Sequence, residues 1–243
     1  MNRDKKKTAV IIGASSGIGR ALAQRLHAAG YCLGLAARRV EKLTELNESL
    51  GGEHSVRALD VTENGEAVSA VSELFSELGG ADLFVISAGT GDVNRDLEWP
   101  RDRAILNTNV IGFAAMANTA FNHFSEQGHG HIVGITSIAG LRGARHAPAY
   151  NASKAFESVY LEGLRHKSVH EKKNIVITDI QPGFVDTAMA KGDGLFWVAS
   201  PDTAARQILR AVFKKRRHTY ITRRWRLAAW VLKLLPDWIY YRL

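Results

Sequence analysis

A single α/β domain built on a doubly wound, mostly parallel sheet is predicted by three observations. Apolar runs of strand length alternate with helix-like stretches along most of the chain. The runs are nearly continuous in apolar residues, as strands covered on both faces require. A glycine-rich turn joins the first run to the first helical stretch. Right-handed crossovers wind such a sheet in both directions, and its ligands bind at the carboxyl ends of the strands.

The elements follow in order. TAVIIG is the first strand, and GIGRALAQRLHAAG has helical spacing with a stop at Gly30. CLGLAA is the second strand, and VEKLTELNESLGG is a helix closed by Gly51 and Gly52. HSVRALDV and NGEAVSAVSELFSELGG give the third strand and helix. ADLFVISAG is the fourth strand, followed by a long helical region over about 101–124. HIVGITS is the fifth strand, YNASKAFESVYLEGLRHKSVH a helix, and NIVITDIQPG the sixth strand. Ser200-Pro201 is a helix start signal, and HTYIT is a short last strand. The chain divides into a domain over 1–213 and a C-terminal extension, 214–243, holding that last strand and a tail helix.

The 243 residues are 46% hydrophobic and 23% charged, enough for a full core. The net charge of +8 is not spread evenly. Nine of the 32 basic residues and one of the 24 acidic ones lie in 214–243, which leaves 23 of each before it. A neutral domain with a cationic appendage disfavours a nucleic-acid binder. The lone cysteine, Cys32, excludes an internal disulfide and fits a reducing, cytoplasmic setting. The N-terminus reads as a first strand, since its apolar stretch runs straight into the glycine turn without a cleavage pattern. No His/Cys/Asp cluster has zinc-ligand spacing, so no metal is expected.

The turn IIGASSGIGRA places Gly13, Ser15, Ser16, Gly17, Ile18 and Gly19 between a strand and a helix. Glycines there permit a tight turn and close backbone approach to a phosphate at the helix N-terminus. No Lys-Ser/Thr follows, so a triphosphate loop is unlike it. At the end of the second strand, Ala37 stands where an NAD-binding fold places an acid, and Arg38 and Arg39 follow. Arginine attracts a ribose 2′-phosphate, so NADP(H) is expected over NAD(H). After the third strand come Asp60 and Val61, with Asp60 placed to accept from an adenine amine. Ala88 and Gly89 end the fourth strand, where small side chains let the backbone approach the cofactor.

Tyr150 and Lys154 are four residues apart and share a helix face. An ammonium beside a phenol stabilises the phenolate, which makes a tunable acid–base pair. Ser137 ends the fifth strand, where its hydroxyl suits holding a substrate oxygen as charge develops.

GASSGIG, SAG, NVIG, ITS, YNASK and PGFVDT, in this order and spacing, resemble the short-chain dehydrogenase/reductases over about residues 8–213. The resemblance implies a Rossmann-type domain with a seven-stranded sheet in the order 3-2-1-4-5-6-7. It implies Tyr150 as proton donor and acceptor, and Lys154 on the nicotinamide ribose hydroxyls. It implies Ser137 orienting the carbonyl, and Asn109 holding a relay water. Pro182, Gly183, Val185 and Thr187 would line the nicotinamide end. A homodimer or tetramer through the helices at about 101–124 and 150–169 is likewise implied. The chain departs from the common pattern at Ile12, where many members have Thr, and at Ser87, where many have Asn.

The expected function is interconversion of a carbonyl and an alcohol with NADP(H), on an apolar small molecule. Met189, Leu195, Phe196 and Trp197 suit an apolar lid with Gly192 and Gly194 as flexible points. Ile138, Leu141, Arg142 and Arg145 suit a wall for a hydrophobic carbonyl with an anionic end. The rival reading is a non-catalytic dinucleotide sensor recruited to membranes by its tail. That tail, RRWRLAAWVLKLLPDWIYYRL, has an apolar run too short to span a bilayer and apolar residues nearly all round a helix. Its tryptophans, tyrosines and arginines suit an anionic membrane surface at the inner face, while packing on a subunit partner or on its own domain is the favoured reading.

Overall fold

The computed structural model describes residues 6–189 and 196–242. Seven strands form one sheet: β1 (Thr8–Ile12), β2 (Cys32–Ala37), β3 (Ser55–Ala58), β4 (Leu83–Ile86), β5 (Gly130–Ile135), β6 (Ile175–Pro182) and β7 (His218–Ile221). Their order is β3-β2-β1-β4-β5-β6-β7, and every pairing is parallel. The expected architecture is therefore the observed one. β7, assigned to the extension from sequence, pairs with β6 from Asp179–His218 to Pro182–Ile221 and forms the sheet's edge.

Alternate strand residues point to opposite faces. Ala9, Ile11, Leu33, Leu35 and Val133 face α1 (Gly17–Ala28), α2 (Val40–Ser49) and α7 (Pro201–Phe213). Val10, Ile12, Phe84, Ile86 and Ile132 face α3 (Asn64–Leu78), α5 (Phe113–Gln127) and α6 (Pro148–His170). This two-sided burial explains why the strands read as unbroken apolar runs. Each fully buried Leu, Ile or Phe contributes about 1.5–3 kcal/mol. The Ser200-Pro201 signal holds: Ser200 Oγ accepts from Thr203 N at 3.2 Å, with Pro201 in the first turn.

The long helix expected over about 101–124 is three pieces: α4 (Trp99–Leu106), a wider π-helical stretch (Asn107–Gly112), and α5. Gly112 permits this. A Cβ there would stand 2.7 Å from Val61 Cγ2 and 2.8 Å from Val61 O, so only glycine lets the widened turn lie against β3's exit. Nothing in the local sequence pattern signals the wider pitch.

His131 on β5 is buried, and burial pushes its imidazole down to about 4. Its Nε2 lies 2.8 Å from Thr178 Oγ1, which in turn donates to Arg216 O at 2.6 Å, so Nε2–H is the donor. The folded value is below the unfolded one. The neutral ring's contribution is therefore complete above pH 6.5 and is lost as pH falls toward 4, on the order of 3 kcal/mol. Chemical denaturation at several pH values should show His131→Asn losing less stability than wild type across this window. Parallel curves for the two proteins would contradict the assignment.

After β7 come α8 (Trp225–Leu234) and α9 (Asp237–Tyr240), separated by Pro236. The tail packs on its own domain. Trp225 and Ala229 turn inward and are buried. Arg142 Nη1 donates to Leu232 O at 3.2 Å and Leu235 O at 2.9 Å, capping the end of α8 where the helix dipole is negative. Its Nη2 donates to Asp237 Oδ1 at 2.6 Å, and its guanidinium lies 4.3 Å from the Tyr240 ring centre. Arg142 was read as a substrate-wall residue; its donors are instead committed to the tail. Among the described residues no helix is long and apolar enough to cross a membrane.

Candidate active site

The carboxyl ends of β1, β4, β5 and β6 converge at the point where the strand order reverses, between β1 and β4. The turn after β1 needs glycine for two reasons. Gly13 has φ +90°, and a Cβ on it would meet Ala88 N at 2.6 Å. A Cβ on Gly19 would meet Gly13 O at 2.2 Å. The turn and the Ala88–Gly89 segment are thus in backbone contact, and Ser87 N donates to Ile12 O at 2.8 Å. Ile12 itself is a fully buried strand residue.

α1 opens at Ser16, whose backbone is extended and whose side chain does not cap the helix; the first turn carries no acid. Its hydroxyl and that of Ser15 instead accept from Arg39 Nη2, at 2.8 and 3.1 Å. The first-turn amides are left for an anion. Ile18 packs on the core beneath, and Gly17, with φ +54°, sits where a Cβ would be 3.0 Å from Thr187 Cγ2. Thr187, from the segment after β6, therefore closes on the turn from the other side. A cradle that a Cβ would fill, with unspent first-turn amides, fits a dinucleotide pyrophosphate.

Arg38 and Arg39 differ in placement. Arg39 hangs over the serines of the turn, whereas Arg38 is 70% exposed at its side chain and lies 3.8 Å from Asp60 Oδ2. Asp60 Oδ1 accepts from Thr62 N at 3.0 Å and Thr62 Oγ1 at 2.9 Å, so one carboxylate oxygen serves the local turn. Val61 is buried against Gly112.

Tyr150 and Lys154 lie in the first two turns of α6, with Pro148 in the first turn. The Tyr150 ring lies over Gly91, where a Cβ would come within 2.6 Å of its Cδ2. A Cβ on Gly89 would stand 3.3 Å from Lys154 Nζ and 3.5 Å from Asn109 Oδ1. Tyr150, Lys154 and Asn109 thus all border the loop that leaves β4. Ser137, 9% exposed, accepts from Ala139 N at 3.1 Å through its Oγ, which leaves its proton free to donate. Asn151 Nδ2 fixes the loop after it by donating to Ala139 O at 2.7 Å and Arg142 O at 2.8 Å.

Asn109 is fully buried in the π-helical stretch. Its Nδ2 donates to Thr90 O at 2.7 Å and Ser153 Oγ at 3.0 Å, and its Oδ1 accepts from Thr90 N at 2.9 Å. This side chain fastens the β4 loop to α6.

The residue that sequence reasoning missed is Glu157. Lys154 Nζ donates to both of its carboxylate oxygens at 2.8 Å, and Glu157 is 0% exposed. A Glu three residues after a Lys on a helix ordinarily reads as a surface pair. The signal available was its place on the face of α6 shared by Lys154 and Leu161. Burial pushes the Glu157 carboxyl up to about 7, against the pull of Lys154. Burial, the largest single influence, would lower the Lys154 ammonium; the attraction of Glu157, Tyr150 and Asp179 together with the Glu157 hydrogen bonds outweighs it and holds it above its ordinary value.

Pro182 ends β6, and Gly183 N donates to Ile221 O at 2.6 Å. A Cβ on Gly183 would strike the Trp225 indole at 2.0 Å, so the tail closes directly on this segment. Val185 is buried and bridges to Ala199. Trp225 packs with Phe184, Phe196 and Trp197, ring centres 5.1–5.7 Å away. Met189, Phe196 and Trp197 are exposed at the rim; Leu195, Gly192 and Gly194 lie outside the described residues. No cluster of metal-ligating side chains occurs among the described residues.

A parallel α/β sheet with a glycine cradle at its switch point defines a dinucleotide-binding protein. Residues 7–194 match the short chain dehydrogenase family, and the chain belongs to that family as an oxidoreductase. It is 38% identical over 188 residues to an uncharacterized oxidoreductase of Myxococcus xanthus, covering 75% of this chain and 74% of that one. It is 32% identical over 213 residues to an uncharacterized oxidoreductase of Mycobacterium tuberculosis, covering 84% and 83%. In fold it is similar to a short-chain dehydrogenase from Streptomyces avermitilis, with a TM-score of 0.82, 24% identity, and 94% and 91% of the two chains covered. A Burkholderia phymatum short chain dehydrogenase/reductase in complex with NAD gives 0.84, 20% identity, and 95% and 94%.

Proposed function

We propose that the protein interconverts a carbonyl and an alcohol with NADP(H), using Tyr150 as the acid and base. The observation that carries this is the convergence of Tyr150, Lys154 and Asn109 on one loop beside the glycine cradle. When bound, the dinucleotide supplies a hydride to the carbonyl carbon. Ser137 donates a hydrogen bond to the substrate oxygen and holds it where charge develops. Tyr150 gives that oxygen its proton, and the Lys154 ammonium stabilises the phenolate left behind. Lys154 would also hold the ribose hydroxyls of the bound dinucleotide. The Asn109 side chain is spent on Thr90 and Ser153, so its relay role would pass to its backbone carbonyl. Pro182, Gly183, Val185 and Thr187 line the nicotinamide end, and Asp60 and Val61 the adenine end.

The preference for NADP(H) rests on the absence of an acid at Ala37 and the presence of Arg38 and Arg39. Of the two, Arg39 is the better placed, directly over the turn's serines. Losing a charge-assisted hydrogen bond costs about tenfold or more in affinity. Arg39→Ala should therefore raise the Kd for NADPH about tenfold and leave that for NADH unchanged. Equal losses for both would remove the basis of the preference. The substrate is read as an apolar small molecule, held under Met189, Phe196 and Trp197. The assembly is read as a homodimer or tetramer through α4–α5 and α6, and the setting as cytoplasmic. An NADPH-oxidation screen over ketones and aldehydes of graded size and charge tests the activity.

A further inference from the structure

The tail helix has two apolar faces, which explains why its sequence shows no single stripe. Trp225 and Ala229 are buried against the domain. Leu227, Trp230, Val231 and Leu234 are exposed by 68%, 60%, 60% and 78%. Their spacing of i, i+3, i+4 and i+7 is one helical stripe. Trp238 and Tyr241, just beyond, are 64% and 77% exposed.

Leu227 and Trp230 also border a cavity of about 1250 Å³ between α8, α6, α7 and the β7 edge. Its rim carries Arg210, Arg216, Arg223, Arg226 and Lys233. Among the described residues none of these five pairs with an acid. Arg165 donates to the backbone carbonyls of Ile177 and Arg217, and the lining acids are Glu162 and Asp179. Toward the interior, Gln181 is 5% exposed and its Oε1 has no hydrogen-bond partner; Gln207 Oε1 and Thr219 Oγ1 are also unpartnered. The cavity therefore combines a cationic rim with unpartnered polar atoms, and it is bordered by the exposed apolar stripe at Leu227 and Trp230.

We infer that this surface binds an anionic phospholipid membrane, with the stripe in the interface and the headgroup phosphates at the cationic rim. Charge selects this occupant. A second copy brought up by two-fold symmetry would set the five cations against their own equivalents. A nucleic acid would match the charge and leave the apolar stripe without a partner. Basic residues beside exposed tryptophan and leucine are the composition of an interfacial helix. Trp225, on the buried face of the same helix, packs with Phe196 and Trp197 at the rim of the candidate active site.

The test is co-sedimentation of the full chain with vesicles of phosphatidylcholine alone or with about a third phosphatidylglycerol. The wild type should bind the anionic vesicles and release at high salt. The triple variant Arg223→Glu/Arg226→Glu/Lys233→Glu should bind about a hundredfold or more weakly, since each basic residue near such a surface is worth about fivefold. Leu227→Ser/Trp230→Ser should also weaken binding at unchanged charge. NADPH binding by each variant shows that it is folded, and Tyr150→Phe should bind vesicles like wild type whatever its turnover. Equal binding to neutral vesicles, no binding to either, or association only with DNA would overturn the inference. So would a dimer that the triple variant dissociates without any vesicle binding.

Discussion

Tyr150→Phe should lower carbonyl turnover by about 10²- to 10⁴-fold, the range for losing a positioned general acid. NADPH affinity should be unchanged. The substitution removes one oxygen and keeps the ring that packs over Gly91, so the β4 loop holds its place. On the proposed reading Ser137 keeps its hydroxyl proton for the substrate oxygen, and Lys154 still has Glu157. What is lost is the hydroxyl that this reading assigns to proton delivery. Fluorescence titration of NADPH and steady-state reduction of an accepted ketone give the two readings. If turnover survived within about tenfold, proton delivery would have to come from elsewhere, and general-acid catalysis by Tyr150 would be wrong.

Glu157→Gln tests the part of the site that was hidden in the sequence. The carboxylate accepts two hydrogen bonds from a buried ammonium and is the largest of the groups that hold Lys154 above its ordinary value. With the amide in its place, burial dominates and the Lys154 value falls. Alcohol oxidation needs the phenolate that Lys154 stabilises. Its rate in the variant should therefore begin to fall on the alkaline side at a lower pH than in wild type, with a difference in kcat that widens as the pH rises and is smallest at pH 7. Glu157→Asp, which restores charge at shorter reach, should recover part of the shift. A purely structural role predicts a uniform fall in activity with no movement of the profile, and that result would contradict the assignment.

Much of the fold was legible because burial on both faces writes itself into sequence as continuous apolar runs. β1, TAVII, is buried at every position. Tyr150 and Lys154 were legible as a pair because helical geometry fixes four-residue neighbours on one face. Three features were not. Glu157 has the spacing of a surface ion pair, and its place on the α6 face shared by Lys154 and Leu161 was a signal outweighed by that spacing. The pitch change at Asn107–Gly112 comes from a contact with Val61, some fifty residues earlier in the chain, which no local pattern carries. The tail looked apolar all round because one face meets the domain and the other meets solvent. Arg142, in the loop after β5, reads in sequence as a substrate-wall cation and in the structure caps the tail helix.

The most direct test is a single-turnover experiment with enzyme in excess of NADPH, run against the carbonyl panel in wild type and Tyr150→Phe. The account predicts that at least one apolar ketone or aldehyde consumes the bound NADPH and yields its alcohol one for one, and that the Phe variant binds NADPH without consuming it. Tight NADPH binding with no carbonyl reduced by the wild type would contradict it and leave a dinucleotide sensor.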